Sequence, residues 1–280
     1  MSKSIWIRFA GLVVLAGGAW VAFTQQPQPQ PLQIVPVKGN LHVIYGSGGN
    51  VAVLTTPQGV VLVDDKFDRN VPEILARVEE VTAQPVKYVF NTHHHGYHSG
   101  GNAQLGKTAQ LISQENARDR MAVADQASAP SLSFSDQQSL YLGGAQVRAI
   151  HFGRSHTNGD AVIYFPQLRV IHTGDMFVRG APFIDYSSGG SALEWDATLN
   201  EVLQLEFDTV IQGHGEVATR EDLTQWKADF ETFRSRVSQL VDQGKSEEEI
   251  KASVNVSDLK GWSMEGLMAR SLPGLIAELR

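Results

Sequence analysis

Four histidines lie within six positions of one another in the segment Asn91–Gly101. This segment follows the apolar run Val86–Phe90. Side chains alternate in direction along an extended chain, so His93 and His95 would point to the same side. His98 lies about one turn further on and can turn back toward them. Convergent imidazoles typically bind zinc, iron or a similar divalent ion. An affinity tag or a solvated polar loop would not directly follow an apolar strand, so a metal site is the favoured interpretation.

Three later segments each combine a strand, a turn of small residues and a potential ligand. One apolar run leads to His156, a second to Asp175 within Thr-Gly-Asp, and a third to His214 within Gly-His-Gly. Ligands at the carboxyl ends of strands are held by rigid elements and remain accessible to a substrate. Neighbouring glycines let the backbone approach closely or adopt positive φ. Each motif alone is weak, but the four in this order indicate one site.

This series of motifs resembles the metallo-β-lactamase superfamily of hydrolases, and the resemblance covers roughly residues 32–220. The resemblance implies an α/β fold of the four-layer αββα sandwich type, with two metal positions at one edge of the sheets. The chain has no cysteine, so a thiolate ligand is excluded and the donors must be histidine, carboxylate or another oxygen. Zinc is the implied metal, and another divalent ion is the alternative.

The resemblance also assigns roles to individual residues. The ligands it assigns to the first metal are His93, His95 and His156, and those it assigns to the second are His98, His214 and Asp175, which would bridge the two metals. Asp64 closes an apolar strand and matches an aspartate that supports the site from behind its ligands. Such support orients a ligand histidine and raises its basicity.

Tyr97 departs from the family pattern, because the usual His-x-His-x-Asp-His cluster has aspartate at this position. That aspartate would be a ligand of the second metal and would help to hold the attacking water. Its absence predicts one firmly bound metal on three histidines and a weaker second one. Three protein ligands and a water are a standard arrangement for catalytic zinc. Tyr97 could instead ligate as a phenolate, donate a proton to the leaving group, or point away from the site.

The predicted activity is metal-dependent hydrolysis, in which an activated water attacks a small carbonyl-type substrate. Asp175 would fix the nucleophile, and Tyr97 is a candidate proton donor. Amides, lactones, thioesters and β-lactams are all compatible with these motifs, and phosphoesters also occur in the superfamily. The alternative is a non-hydrolytic metal- or partner-binding protein with a degenerate site. A formal net charge of −7 argues against nucleic-acid binding through a basic surface.

The amino-terminal region differs in composition from the rest of the chain. Residues 1–24 contain Lys3, Arg8 and then an uncharged apolar run, a pattern typical of a signal peptide or a membrane anchor. Residues 25–31 alternate Gln and Pro and predict an extended linker. Both possibilities predict an exported protein, either periplasmic or anchored at the outer side of the cytoplasmic membrane.

The remaining chain is predicted to alternate strands and helices over residues 32–220 in two comparable halves, which favours sheets covered by helices. Asp125–Ser135 is predicted to be a polar loop and Met264–Leu279 a single helix. Residues 221–280 are predicted to form a helical extension packed on the domain, because apolar residues recur at helical spacing in Arg220–Asp242. The sequence leaves the oligomeric state open.

Several other polar and aromatic residues have more ordinary interpretations. His94 is predicted to face away from the cluster and to hydrogen-bond within its loop. His42, His151 and His172 are predicted to be packed or surface residues of strands, and Trp226 and Phe230 to be core. The segment Phe183–Asp185 could contact substrate or could be a structural loop.

Overall fold

The computed structural model describes residues 31–280. The first half of this part of the chain forms a seven-stranded sheet. Strands β1 to β4 are antiparallel neighbours, and β4 to β7 are parallel neighbours. The strands of this first sheet are β1 (Gln33–Lys38), β2 (Leu41–Tyr45), β3 (Val51–Thr56), β4 (Gly59–Val63), β5 (Val86–Phe90), β6 (Gln110–Gln114) and β7 (Leu132–Phe134). The predicted signal or anchor and nearly all of the predicted linker lie outside the described residues.

A six-stranded second sheet carries the later strands in the order β13-β12-β11-β10-β9-β8. Its neighbours are antiparallel except for the parallel pair β11 and β12. The strands are β8 (Gln137–Leu142), β9 (Ala145–Ile150), β10 (Val162–Phe165), β11 (Val170–His172), β12 (Thr209–Ile211) and β13 (Ala218–Thr219).

The two sheets pack face to face because both faces of their central strands are apolar. In β4, Val61 and Val63 enter the core between the sheets, whereas Val60 and Leu62 face the helical layer. In β10, Ile163 and Phe165 meet that same inner core. Strands that are covered on both sides are continuous runs of apolar residues rather than alternating ones. The result is the predicted α/β fold, a four-layer αββα sandwich.

Helices form the two outer layers. Buried residues of α1 pack on the outer face of the first sheet, and α5 to α9 cover the outer face of the second. The helices are α1 (Val71–Glu79), α2 (Gly96–Ser99), α3 (Asn102–Leu105), α4 (Glu115–Ala124), α5 (Ala192–Val202), α6 (Arg220–Asp242), α7 (Glu247–Ser253), α8 (Met264–Arg270) and α9 (Leu272–Leu279). None of the helices within residues 31–280 is long and apolar enough to cross a membrane.

The structure differs from the sequence predictions at two segments. The predicted loop 125–135 contains the short strand β7, because its backbone pairs with the edge of β6. The predicted helix 264–279 is divided into α8 and α9 at Ser271. Pro273 has no backbone N–H and suits only the first turn of a helix, so a new helix begins there.

The carboxyl ends of β4, β5, β11 and β12 meet at one edge of the sandwich. Asp64 follows β4, the histidine segment follows β5, Asp175 follows β11 and His214 follows β12. Hydrogen bonds join the two sheets at this edge. The Asn50 N–H donates to the Gly213 carbonyl over 2.8 Å, and the Asn50 side chain donates to the Gln212 carbonyl over 2.9 Å. This edge therefore collects the predicted site residues.

Candidate metal centre

The histidine segment turns sharply at the end of β5. His95 has an extended backbone and precedes the short helix α2, which contains His98. The N–H groups of His98 and Ser99 donate to the His95 carbonyl over 2.8 and 3.0 Å. The turn therefore brings the imidazole of His98 back toward that of His93, with the two ring centroids 4.4 Å apart.

Three imidazoles converge on one point. His95 Nδ1 lies 3.2 Å from His93 Nε2 and 3.0 Å from His156 Nε2. His93 and His156 are fully buried, and His95 is mostly buried. Burial lowers the pKa of His95, and the neighbouring His156 lowers it further. Burial likewise lowers the pKa of His93 well below its ordinary value. His93 and His95 are therefore neutral near pH 7 and available as ligands.

The outer nitrogen of each of these rings has its own acceptor. His156 Nδ1 donates to the Phe183 carbonyl over 2.7 Å, and His95 Nε2 donates to Asp185 Oδ2 over 2.9 Å. Thr92 Oγ1 donates its proton to Asp64, so it accepts from His93 Nδ1 over 3.0 Å. These partners assign the tautomers. They leave three lone pairs facing one another, an arrangement that a bound cation satisfies.

Asp175 lies between two groups of histidines. Its Oδ2 is 3.9 Å from His93 Nε2 and 3.8 Å from His156 Nε2. Its Oδ1 is 3.1 Å from His98 Nε2 and 3.3 Å from His214 Nε2. Burial opposes ionisation, but His98 and His214 hold the pKa of Asp175 well below its ordinary value. An ionised carboxylate with one oxygen toward each group has the geometry expected for a bridging ligand.

Asp64 supports His98 from behind. Its Oδ2 accepts from His98 Nδ1 over 2.6 Å, and its Oδ1 accepts from the Thr92 N–H over 2.7 Å. Asp64 has a positive φ of 63°, which lets the chain leave β4 and turn this carboxylate into the site. Burial lowers the pKa of His98, but the Asp175 and Asp64 carboxylates outweigh it and raise the pKa to about 10.

Two glycines make this close approach possible. A Cβ on Gly213 would lie 1.9 Å from Asp175 Oδ1, and a Cβ on Gly49 would lie 2.2 Å from the His98 ring. Real contacts of that length do not occur, so any larger residue would displace the ligand side chain. Gly213, the first glycine of the Gly-His-Gly motif, is therefore required because it packs against Asp175.

Tyr97 points into the site rather than away from it. Its hydroxyl lies 2.9 Å from His95 Nδ1 and donates to Asp175 Oδ2 over 3.1 Å. Its ring centroid is 5.4 Å from that of His214. Burial, followed by the adjacent Asp175 carboxylate, raises the pKa of the phenol well above its ordinary value. Tyr97 is therefore a neutral hydrogen-bond donor that contacts residues of both histidine groups.

Asp185 is a site residue whose role the sequence left open. Its Oδ1 accepts from Ser187 Oγ and from the Ser188 N–H, which leaves Oδ2 directed at His95. Burial raises the pKa of Asp185, but these hydroxyl and imidazole donors outweigh it and lower the pKa. The segment lies 90 positions beyond His95, and no local spacing signals the contact.

The remaining histidines lie outside the two groups. His94 Nε2 is 3.2 Å from Ser188 Oγ, and His151 Nδ1 donates to the Asp160 carbonyl over 2.7 Å. His172 is fully buried and its Nε2 donates to the Asn50 carbonyl over 3.2 Å. Trp226 and Phe230 belong to α6, and their rings stack on each other in the core between α6 and the second sheet.

The chemistry of the donors suits a divalent cation such as zinc. Within the described residues, His93, His95, His156 and Asp175 bring one ligand atom each to within 4.8 Å of one another, and His98, Asp175 and His214 form a second such group. Imidazole nitrogen and carboxylate oxygen are ordinary ligands of zinc. The sandwich fold and this set of donors together define a class of metal-dependent hydrolases.

The family model for the metallo-β-lactamase superfamily matches residues 44–214, more than half of the chain. The chain therefore belongs to the metallo-β-lactamase superfamily. A metallo-β-lactamase type 2 of Bacillus cereus is 27% identical over 176 residues, which cover 61% of this chain and 68% of that protein. A hydroxyacylglutathione hydrolase of Nostoc punctiforme is 31% identical over 164 residues, which cover 58% of this chain and 56% of that protein.

Solved structures show the same fold. A metallo-β-lactamase from Pontibacter korlensis matches with a TM-score of 0.64 at 18% identity, covering 71% of this chain and 99% of that chain. A metallo-β-lactamase from Pseudomonas aeruginosa, solved in a mono-zinc form, matches with a TM-score of 0.64 at 17% identity, covering 74% of this chain and 97% of that chain. At these sequence identities the structural similarity shows the fold alone.

Proposed function

We propose that this protein hydrolyses a small carbonyl-type substrate, an amide, lactone, thioester or β-lactam, with zinc held by His93, His95 and His156. The three convergent imidazole lone pairs carry this proposal. Relatives named as a β-lactamase and as a hydroxyacylglutathione hydrolase support carbonyl substrates. When bound, zinc supplies Lewis acidity that lowers the pKa of a coordinated water to about 7 and polarises a carbonyl oxygen.

The protein residues orient the reacting groups and hold protons. Asp175 presents ionised oxygens at the mouth of the cluster and would accept a hydrogen bond from the attacking water. Tyr97 keeps its proton because burial and Asp175 raise its pKa. Its hydroxyl, between His95 and Asp175, is placed to give that proton to the leaving group. We also propose that His98, Asp175 and His214 bind a second metal weakly, since Tyr97 replaces a carboxylate ligand there.

Metal content and turnover test this proposal together. We expect about one equivalent of zinc per chain, and loss of both zinc and turnover in His95→Ala. His42→Gln is the matched control, because His42 lies in β2 and belongs to neither histidine group. The assay uses zinc-loaded protein and a panel of ester, lactone, thioester, amide and β-lactam substrates. Absence of turnover across the panel, or unchanged turnover in His95→Ala, would contradict the proposed hydrolase function.

Tyr97 has a test of its own. Tyr97→Phe removes only the hydroxyl, so we expect full zinc content and a fall in kcat of about 100-fold, in the usual range for a proton donor. The loss should be smaller for substrates with good leaving groups, because these leave without a proton. Tyr97→Asp restores the carboxylate and should raise the zinc content toward two equivalents. Equal losses on good and poor leaving groups would exclude proton donation.

We further propose that the protein works outside the cytoplasm on a small-molecule substrate, because residues 1–24 are typical of an export signal or anchor. Fractionation of cells expressing the full chain tests this. Recovery with a periplasmic marker, or with membranes from which external protease releases the folded domain, would agree with export. Recovery in the cytoplasm would contradict it.

A further inference from the structure

A cavity of about 570 Å³ opens beside the candidate metal centre. Tyr97, Asp175 and His214 contribute its polar edge. Its apolar lining includes Phe183 and Trp226. A pocket with a mostly apolar wall and a few polar groups is typical of a small-molecule site. The body of a substrate can therefore be held against aromatic rings while its reacting group lies beside Asp175.

One cation also lines this cavity. Arg270 is the last residue of α8 and lies beyond residues 44–214, the part of the chain that the superfamily model matches. Its guanidinium carbon is 5.5 Å from the centroid of the Phe183 ring. Phe183 in turn lies 5.0 Å from the His156 ring and stacks on His95 at 5.9 Å. The guanidinium and the metal ligands are therefore separated by a single aromatic side chain.

Within residues 31–280, Arg270 differs from several other arginines in having no carboxylate partner. Arg179 pairs with Asp222 at 2.8 Å, and Arg236 pairs with Asp258 at 2.6 Å. Among residues 31–280, no carboxylate oxygen lies within the 4.0 Å ion-pair distance of the Arg270 guanidinium. Its planar set of donors therefore remains available beside the cavity, and such a set matches a carboxylate in a bidentate manner.

We propose that Arg270 binds a carboxylate on the substrate, so that the preferred substrates are carbonyl compounds that carry a carboxylate a few bonds from the scissile group. This inference rests on the proposed hydrolase function and adds the substrate class. The apolar body lies along Phe183 and Trp226, and the carboxylate meets the guanidinium. On a chain of net charge −7, a local unpaired cation gives an anionic substrate one favourable place to bind.

Paired substrates test the assignment. Each pair shares an ester or thioester and an aromatic body, and differs only in a carboxylate or its neutral carboxamide. We expect Arg270→Met to raise KM for the carboxylate at least tenfold with little change in kcat, and to change the carboxamide less than twofold. Arg270→Lys should recover part of the difference, because it keeps the charge without the planar donors. Arg236→Met is the matched control and should leave both substrates unchanged.

Equilibrium binding separates this inference from the hydrolase itself. The probes are phenylacetate and phenylacetamide, titrated calorimetrically into zinc-loaded wild type and Arg270→Met. Preferential binding of phenylacetate that Arg270→Met abolishes would support the subsite even if no substrate were turned over. Turnover with equal losses on both members of each pair would leave the hydrolase standing and would overturn the role of Arg270. Equal binding of the two probes to wild type would overturn it as well.

Discussion

Asp185 shows how much of a metal site depends on residues that do not face the metal. Its carboxylate fixes which nitrogen of His95 carries the proton, and thereby leaves Nδ1 free to point at His93 and His156. The Phe183 carbonyl does the same for His156. Thr92 and Asp64 do so for His93. The partners of these proposed ligands therefore set the tautomer of each ring before any ion arrives.

Replacement of Asp185 should weaken metal binding without removing a ligand. We expect Asp185→Ala to lower zinc affinity by about 10- to 100-fold, the usual effect of losing a partner of a ligand histidine. Competition with a chromophoric chelator measures the affinity. Asp119→Ala, an exposed aspartate of α4, is the control for loss of one carboxylate. Unchanged zinc affinity in Asp185→Ala would show that the tautomer of His95 is fixed by another group.

Among the elements, β11 and its following turn show how a strand positions a ligand. His172 ends the strand, and its ring uses both nitrogens: Nε2 donates to the Asn50 carbonyl, and Nδ1 accepts from the Gly174 N–H over 3.1 Å. Gly174 directly precedes Asp175. Burial lowers the pKa of His172 to about 4, so the neutral ring that accepts from Gly174 is the native form.

This neutral histidine makes stability depend on pH. The pKa is about 4 in the folded chain and 6.5 for the ordinary group, so the unfolded chain binds an extra proton between these values. Stability from this group is present above pH 6.5 and is lost as the pH falls toward 4, by about 1.4 kcal/mol per pH unit between the two pKa values. His172→Gln should therefore weaken the dependence of the unfolding free energy on pH, by an amount that corresponds to about one proton between pH 4 and 6.5. Urea unfolding of the metal-free protein at several pH values measures this dependence. The same pH dependence in wild type and His172→Gln would contradict this role of His172.

Strands and most helices were predictable because apolar residues recur with periods that local sequence reveals, as in β5 and α6. Convergence of the histidines was predictable because carboxyl ends of strands share an edge. Strand β7 was missed, since its three residues are strand only through pairing with β6. The contact between Asp185 and His95 was beyond sequence reasoning, because it depends on how a loop folds back across the site. The two contacts of Tyr97 likewise follow from tertiary packing.

At the scale of the whole molecule, the carboxyl-terminal helices hold the loop that supports the site. Ser271 Oγ donates to the Pro182 carbonyl over 2.7 Å, and Glu278 Oε2 accepts from the Ala192 N–H over 2.9 Å. These contacts lie on either side of Asp185 in the sequence. Helices α8 and α9 therefore bear on the metal centre although they contribute none of its proposed ligands.

Gly274 of α9 provides a test of this support. A Cβ there would lie 2.1 Å from the ring of Tyr186, the residue after Asp185. Alanine favours a helix over glycine by about 1 kcal/mol, yet we expect Gly274→Ala to lower both zinc affinity and thermal stability, because Tyr186 must move. The control is Ala277→Ser, at an exposed position of α9. Zinc affinity unchanged in Gly274→Ala would show that the loop keeps its position without α9.

The proposed ligands come from opposite layers, because His93, His95 and His98 follow β5 of the first sheet whereas His156, Asp175 and His214 follow strands of the second. An ion bound by both sets would be a cross-link between two sheets that otherwise meet through an apolar core and a few hydrogen bonds at this edge. An ion present at a thousandfold excess over its dissociation constant would add about 4 kcal/mol to the free energy of unfolding. The temperature at which the sandwich unfolds would then rise with the concentration of the free ion.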